Sequence, residues 1–255
     1  MNFFGRLVLL CAAICAVLNL SGCRGCSDQA KAPDKFYTPL PQTPKTDVIQ
    51  IIRESPQGRL DLSRLSQLVS TPDFDIEGGE RGKKDGTPLY WAARTNNPEA
   101  VVLLMQKGAD IHRADPVGDT PLTVAVARGH GKVAMTLLAA GAKANHPNDN
   151  GRTALHAAAA QGSLELAKAL VDHGADINCQ DKRGMTPLFT AANSGQIEMV
   201  EWLIEHNADP NKAAIDGMRP IRVAFLTGHN EIVQLLRSKG AKATAADFER
   251  PRERP

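Results

Sequence analysis

An all-α solenoid of stacked helix pairs is the fold class the sequence predicts, and three observations predict it. The triplets Thr87-Pro88-Leu89, Thr120-Pro121-Leu122, Thr153-Ala154-Leu155, Thr186-Pro187-Leu188 and Arg219-Pro220-Ile221 each start 33 residues after the last. A second marker keeps the same step: Gly108-Ala109-Asp110, Gly141-Ala142-Lys143, Gly174-Ala175-Asp176, Asn207-Ala208-Asp209 and Gly240-Ala241-Lys242. Between the markers, large apolar residues fall at helical spacing. Self-similarity at a fixed period of this length marks a repeat array whose units stack.

The elements of each unit follow in order. Thr before Pro places a capping hydroxyl ahead of a residue that has no amide hydrogen to satisfy, so a first helix begins there. That helix is short and rich in alanine, as in Ala157-Ala158-Ala159-Ala160, which lets neighbouring units approach closely. The second helix carries the larger stripe: Leu166, Ala167, Ala169, Leu170 and Val171 in one unit, Met199, Val200, Trp202, Leu203 and Ile204 in the next. Gly108, Gly141, Gly174 and Gly240 suit the left-handed position that ends a helix, and Asn207 is the residue best able to replace glycine there. Asn150-Gly151 signals a tight hairpin turn between units, with Gly118, Gly184 and Gly217 in the equivalent place and Gly86 shifted by one.

The period and its motifs resemble the ankyrin repeat. The resemblance covers residues 82–246 as five repeats, 82–114, 115–147, 148–180, 181–213 and 214–246. It implies a hairpin followed by two antiparallel helices in each repeat, and a binding surface on the concave side, made of hairpin tips and first helices.

A stack needs ends that tolerate water. Residues 47–81 pattern as two helices, Val48-Ile49-Ile51-Ile52 and Leu62-Leu65-Leu68-Val69, split by Pro56-Gln57-Gly58, and read as a degenerate N-terminal capping repeat. At the other end Arg237 stands where Met105, Leu138, Val171 and Ile204 stand earlier, while Arg219 replaces the threonine and Arg222 the usual histidine, so the last stripe is expected to face water. Residues 247–255 alternate charge and read as a frayed tail.

Residues 1–22 open with Arg6 and run from Leu7 to Leu20 almost without a polar side chain. A bilayer core needs roughly 20 apolar residues in a helix, so this shorter run reads as a signal-peptide core. It ends Leu20-Ser21-Gly22-Cys23, which resembles the lipobox of bacterial lipoproteins. By that resemblance Cys23 is acylated, with palmitate or a similar chain, and becomes the mature N-terminus. Arg24 follows it, not the Asp that resembles an inner-membrane retention signal, so the expected address is the outer membrane, facing the periplasm. Residues 23–46 carry Pro33, Pro39, Pro41 and Pro44 and read as an extended tether. Cys26 and Cys179 are left as two free thiols, so no disulfide framework is expected.

Composition excludes further classes. Hydrophobic residues are 42% and charged residues 23%, the make-up of a globular protein. Thirty basic side chains against 28 acidic ones leave a formal +2, too balanced to draw the whole molecule to nucleic acid. The mature chain shows no Gly-rich phosphate loop, no Gly-x-Ser-x-Gly elbow and no His-Glu-x-x-His helix. Cys23-x-x-Cys26 is a metal motif on paper only, because lipidation consumes the first thiol. Most histidines have structural addresses: His156 in the Thr-Ala-Leu-His motif, His130 and His229 after glycines, His173 and His206 near helix ends. His112 and His146 fall on successive hairpins without carboxylate or thiol support. The chain therefore reads as a non-enzyme with no cofactor and no metal site.

What remains is a surface that binds protein. At exposed positions of the repeat pattern stand Lys83, Lys84, Arg94, Arg128, Arg152, Lys182 and Arg183, against Asp119, Asp149 and Asp216. This basic lean reads either as a steering field for an acidic partner or as a solvated rim. Met185, Met218, Ile215 and Leu226 add an apolar patch in the last two repeats. Tyr90 and Trp91 either anchor a partner or pack on the N-terminal segment. The expected function is that of a monomeric, lipid-anchored envelope protein that binds a partner noncatalytically. Two roles fit: a scaffold or accessory factor for an envelope enzyme, as some periplasmic ankyrin proteins resemble accessory factors for catalase, or an immunity-like inhibitor of a periplasm-acting toxin. A metal-dependent envelope enzyme is the reading from a different class.

Overall fold

The computed structural model describes residues 47–54, 61–71, 74–78 and 86–249. The signal segment, Cys23 with its lipobox, Cys26, the proline-rich tether, Lys83 and Lys84 lie outside the described residues. All described residues belong to one compact unit, Pro44–Pro255.

Twelve α-helices and no strand occur among the described residues. A first pair, α1 (Asp47–Glu54) and α2 (Leu62–Val69), precedes five pairs on the 33-residue step. These are α3 (Pro88–Arg94) with α4 (Pro98–Gln106), α5 (Pro121–Ala127) with α6 (Gly131–Ala139), and α7 (Ala154–Gln161) with α8 (Leu164–Asp172). After them come α9 (Pro187–Asn193) with α10 (Ile197–Glu205), and α11 (Pro220–Leu226) with α12 (Asn230–Ser238). The odd-numbered helices form an inner row, each packed on the next, and the even-numbered ones form an outer row in the same way. No helix among the described residues is long and apolar enough to cross a membrane.

Local chemistry starts each inner helix where the repeat register says it must. The hydroxyls of Thr87, Thr120 and Thr186 accept the backbone N–H of Tyr90, Thr123 and Phe189 at 3.1–3.2 Å. A proline follows each, at a position whose amide has no helical partner. The outer helices of the five repeats end at left-handed residues, and Asn207 adopts φ 69° where the other repeats use glycine. A left-handed backbone costs least for asparagine among the non-glycine residues, because its side chain bonds locally.

One apolar core runs the length of the stack, from Val48 and Ile52 through Leu89, Leu122, Leu155 and Leu188 to Ile221 and Leu236. In α8 it takes Leu166, Ala167, Ala169 and Leu170, and in α10 Met199, Val200, Trp202 and Leu203. No single pair buries its stripe; each is closed by its neighbours.

Polar ladders stitch the repeats at the turns. The Oδ1 atoms of Asn145, Asn178 and Asn211 accept the N–H of Asp176, Asp209 and Lys242 at 2.6–2.8 Å. The amides of Asn145 and Asn178 donate to the Gly174 and Asn207 carbonyls at 2.6 and 3.0 Å. Asn178→Ala therefore removes two bonds between repeats and is expected to cost about 1 kcal/mol, since each partner regains water at this edge. The urea midpoint measures that loss, and an unchanged midpoint means the ladder carries no stability.

The hairpins form a second ladder. Asp149, Lys182 and Ile215 donate their N–H groups to the carbonyls of Val117, Asn150 and Arg183 in the preceding hairpin, at 2.9–3.0 Å. The backbones meet so closely that a Cβ on Gly151 would stand 2.8 Å from Lys182 N. Pro116 holds the donor's place in the second repeat and has no N–H to give.

At the C-terminal end Arg237 of the last stripe is exposed, but the start of the segment expected to be a frayed tail is folded. Ala245–Phe248 form a short 3-10 turn that packs on α11. Phe248 meets Phe225 edge-on at 5.3 Å between ring centroids, and the Arg237 guanidinium lies 4.4 Å over the Phe248 ring. Asp247 is buried and accepts from Arg219 at 2.6 Å and from the Thr244 N–H and hydroxyl at 2.7 Å each. Burial alone raises the Asp247 carboxyl, but the Thr244 bonds and Arg219 outweigh it and hold the group below the usual carboxylate range. The threonine-to-arginine change at 219 thus supplies a partner for the closing turn, which brings residues 247 and 248 into the folded array.

Candidate functional site

The inner face is assembled from the odd-numbered helices and the hairpin tips that precede them. Alanines narrow it along α5 and α7, and two cavities open along it. One, of ≈ 290 Å³, is lined by Arg152, Arg183, Met185 and Met218 together with Phe189, Thr190, Asn193, Ala214, Asp216 and Val223. The other, of ≈ 370 Å³, includes Asp119, Thr123, Asn148 and Gln161 in its lining. Arg152 lines both, so the two make a groove across the second to fifth repeats with Arg152 at its middle.

The structure thus brings together four of the residues expected at the surface, Arg152, Arg183, Met185 and Met218. The two methionines are half-buried and not fully exposed, because the helices behind them take one side of each chain. Arg128 is exposed at the end of α5 and Lys182 at a hairpin tip, outside both linings. Ile215 is 78% exposed, whereas Leu226 is half-buried and outside the linings. Phe189, Thr190, Asn193 and Val223 were not legible as site residues. They sit inside the first helices that begin at Pro187 and Pro220, and only the meeting of successive repeats shows which of their faces stays open.

Arg94 lies apart, at the N-terminal end of the face. Its guanidinium is 5.1 Å from the Trp91 ring centroid, and its Nη1 donates to the Tyr90 hydroxyl at 3.4 Å. Arg53 of α1 covers the same Trp91 ring at 4.1 Å. Trp91 is half-buried beneath Arg53 of the N-terminal pair, whereas Tyr90 is buried beside Arg94 and Asp115, the latter in the next hairpin.

The carboxylates of Asp115, Asp181 and Asp216 are turned toward their own backbone. Asp115 Oδ1 accepts from Val117 and Asp119, and Asp181 Oδ1 accepts from Arg183 and Met185 at 2.9 Å. Asp216 Oδ1 accepts from Met218. Asp119 accepts from the Asn148 amide at 2.9 Å, and burial, helped by Asp115, raises its carboxyl above the ordinary value. By contrast, neither the Arg152 nor the Arg183 guanidinium makes a salt bridge among the described residues. Asp115, Asp181 and Asp216 are thus bonded within their own hairpins, while Arg183 is exposed and Arg152 is half-buried within electrostatic reach of Asp119.

Beneath the groove lies a thiol–imidazole cluster. His156 is fully buried; its Nε2 is 2.9 Å from the Met185 carbonyl and its Nδ1 is 3.2 Å from the Thr153 N–H. A carbonyl only accepts, so Nε2 carries the proton and Nδ1 is bare. Cys179 Sγ stands 3.4 Å from the Thr153 hydroxyl and 3.8 Å from His156 Nδ1. Burial lowers the imidazole and raises the thiol, so both stay neutral, the opposite of the thiolate–imidazolium pair that a cysteine nucleophile uses.

Four of the other histidines bond backbone carbonyls. His130 Nε2 bonds the Arg94 carbonyl of the preceding repeat at 3.1 Å, and His173 and His206 bond carbonyls of their own helices at 2.8 Å. His146 bonds the Pro147 carbonyl. No group of three metal-ligating side chains converges among the described residues.

A family model described as ankyrin repeats, three copies, matches residues 89–181 and again 174–247, which together are more than half of the chain. No curated protein matches it. With helix pairs stacked on the 33-residue period over the same span, the chain belongs to the ankyrin-repeat family.

Proposed function

We propose that this protein is a noncatalytic protein-binding module, fastened through acyl chains on Cys23 to the bacterial cell envelope and facing the periplasm. Ankyrin repeats are in general a noncatalytic protein-interaction scaffold, which supports the first half of this reading. The observation that carries it is the groove that crosses the inner face, with Arg152 shared by its two cavities. The lipobox Leu20-Ser21-Gly22-Cys23 supports the second half. Two or three acyl chains hold a protein to one leaflet durably, since each buried methylene contributes about 0.8 kcal/mol. The partner is then an envelope protein, and the array serves it as a scaffold or accessory factor.

Affinity capture from envelope extracts tests this. Charge reversal of Arg128, Arg152 and Arg183 together is expected to abolish capture while leaving the far-UV circular dichroism unchanged. Radiolabelled palmitate is expected to enter the wild-type chain and not Cys23→Ser. Undiminished capture by the charge-reversed array overturns the binding face, and equal labelling of Cys23→Ser overturns the anchor.

A further inference from the structure

We infer that the cavity between the third, fourth and fifth repeats recognises a segment of the partner protein that carries a carboxylate beside one large apolar side chain. This rests on the inner face being the binding surface and names what it selects. The carboxylate lies between the guanidinia of Arg152 and Arg183, and the apolar side chain sits on Met185, Phe189, Met218 and Val223.

Three observations lead there. First, Arg152 and Arg183 line the same cavity and neither is in a salt bridge among the described residues, Arg152 reaching Asp119 only at longer electrostatic range, while Asp181 and Asp216 beside them accept bonds from their own hairpins. A planar guanidinium matches a carboxylate's two oxygens, and such charge-assisted bonds are about twice as strong as neutral ones. Second, Met185, Phe189, Met218 and Val223 give the lining an apolar part, and two of these four side chains are methionines, whose unbranched chains adapt to the shape that enters. Third, the volume of ≈ 290 Å³ lies at the lower end of ligand pockets, so it takes one anchoring side chain and not the face of a helix. A nucleic acid meets only the guanidinia and leaves the apolar part of the lining unused, which is why a protein segment is the occupant.

Short random peptides displayed on phage and selected on the full-length protein test the inference. Enriched sequences are expected to place Asp or Glu within two positions of Leu, Met, Phe or Trp. Synthetic copies, followed by fluorescence anisotropy, are expected to bind Arg183→Glu and Met218→Ala at least about tenfold more weakly, as truncation of an interface anchor does. Met105→Ala, a half-buried methionine of the outer row, is expected to bind them as the wild type does. Peptides without acidic enrichment, binding unaffected by Arg183→Glu, or displacement by oligothymidine overturn the inference. If envelope capture is still lost on charge reversal in any of those cases, the broader reading stands and only the assigned chemistry falls. If capture also persists, both fall.

Discussion

Leu155→Ala is expected to destabilise the whole array by about 3 kcal/mol, within the range that buried leucines lose on truncation. Leu155 is fully buried on α7, in the third of five repeats, and α7 packs on both α5 and α9. A cavity there weakens two interfaces at once. In a stack stabilised by nearest-neighbour contacts, a central defect is felt by both halves. The chain holds two tryptophans, Trp91 on α3 and Trp202 on α10, one on each side of the defect. In Trp91→Phe and Trp202→Phe backgrounds the remaining fluorescence is expected to report the same lowered urea midpoint. A loss below about 1 kcal/mol, well short of that truncation range, or a shift in one reporter alone, refutes the claim that the repeats form one cooperative core.

His156→Ala is expected to cost about 2–4 kcal/mol, because it strands the Thr153 N–H and removes the donor to the Met185 carbonyl. The same residue sets a pH dependence. Burial lowers the folded imidazole below its ordinary value of 6.5, whereas the unfolded imidazole titrates near that value. Between the two the unfolded state holds the additional proton, so stability rises with pH across that window. It is fully present above about 6.5 and is lost as pH falls through the folded value. Asp247 acts in a separate, more acidic window: its carboxyl is held low, so its contribution persists above 3.8 and fades as pH falls further. Urea midpoints measured from pH 7.5 down to 5 are expected to decline in the wild type and to flatten in His156→Ala. An equal slope in both proteins rules out His156 as the titrating group.

The two residues differ in how readable they were. Leu155 follows a threonine and an alanine at a fixed place in the period, so its burial was evident from the register alone. His156 read correctly as scaffold, but its contacts did not: Met185 lies 29 positions away and Cys179 lies 23 away. Both are brought to it by the next hairpin.

Within the five repeats the residues alone place the start of each inner helix, at Pro88, Pro121, Ala154, Pro187 and Pro220, and the stop of each outer one. Those are local choices, made by a capping hydroxyl, a missing amide hydrogen and a tolerated left-handed residue within a few positions of one another. Only the tertiary structure decided that Arg152, Arg183 and Met218 border one cavity, that Arg53 covers Trp91, and that Arg219 holds Asp247. These contacts join different repeats or the ends of the stack. The stagger of one helix pair on the next, and the rotamers that stagger permits, set them, and neither quantity is written in the period.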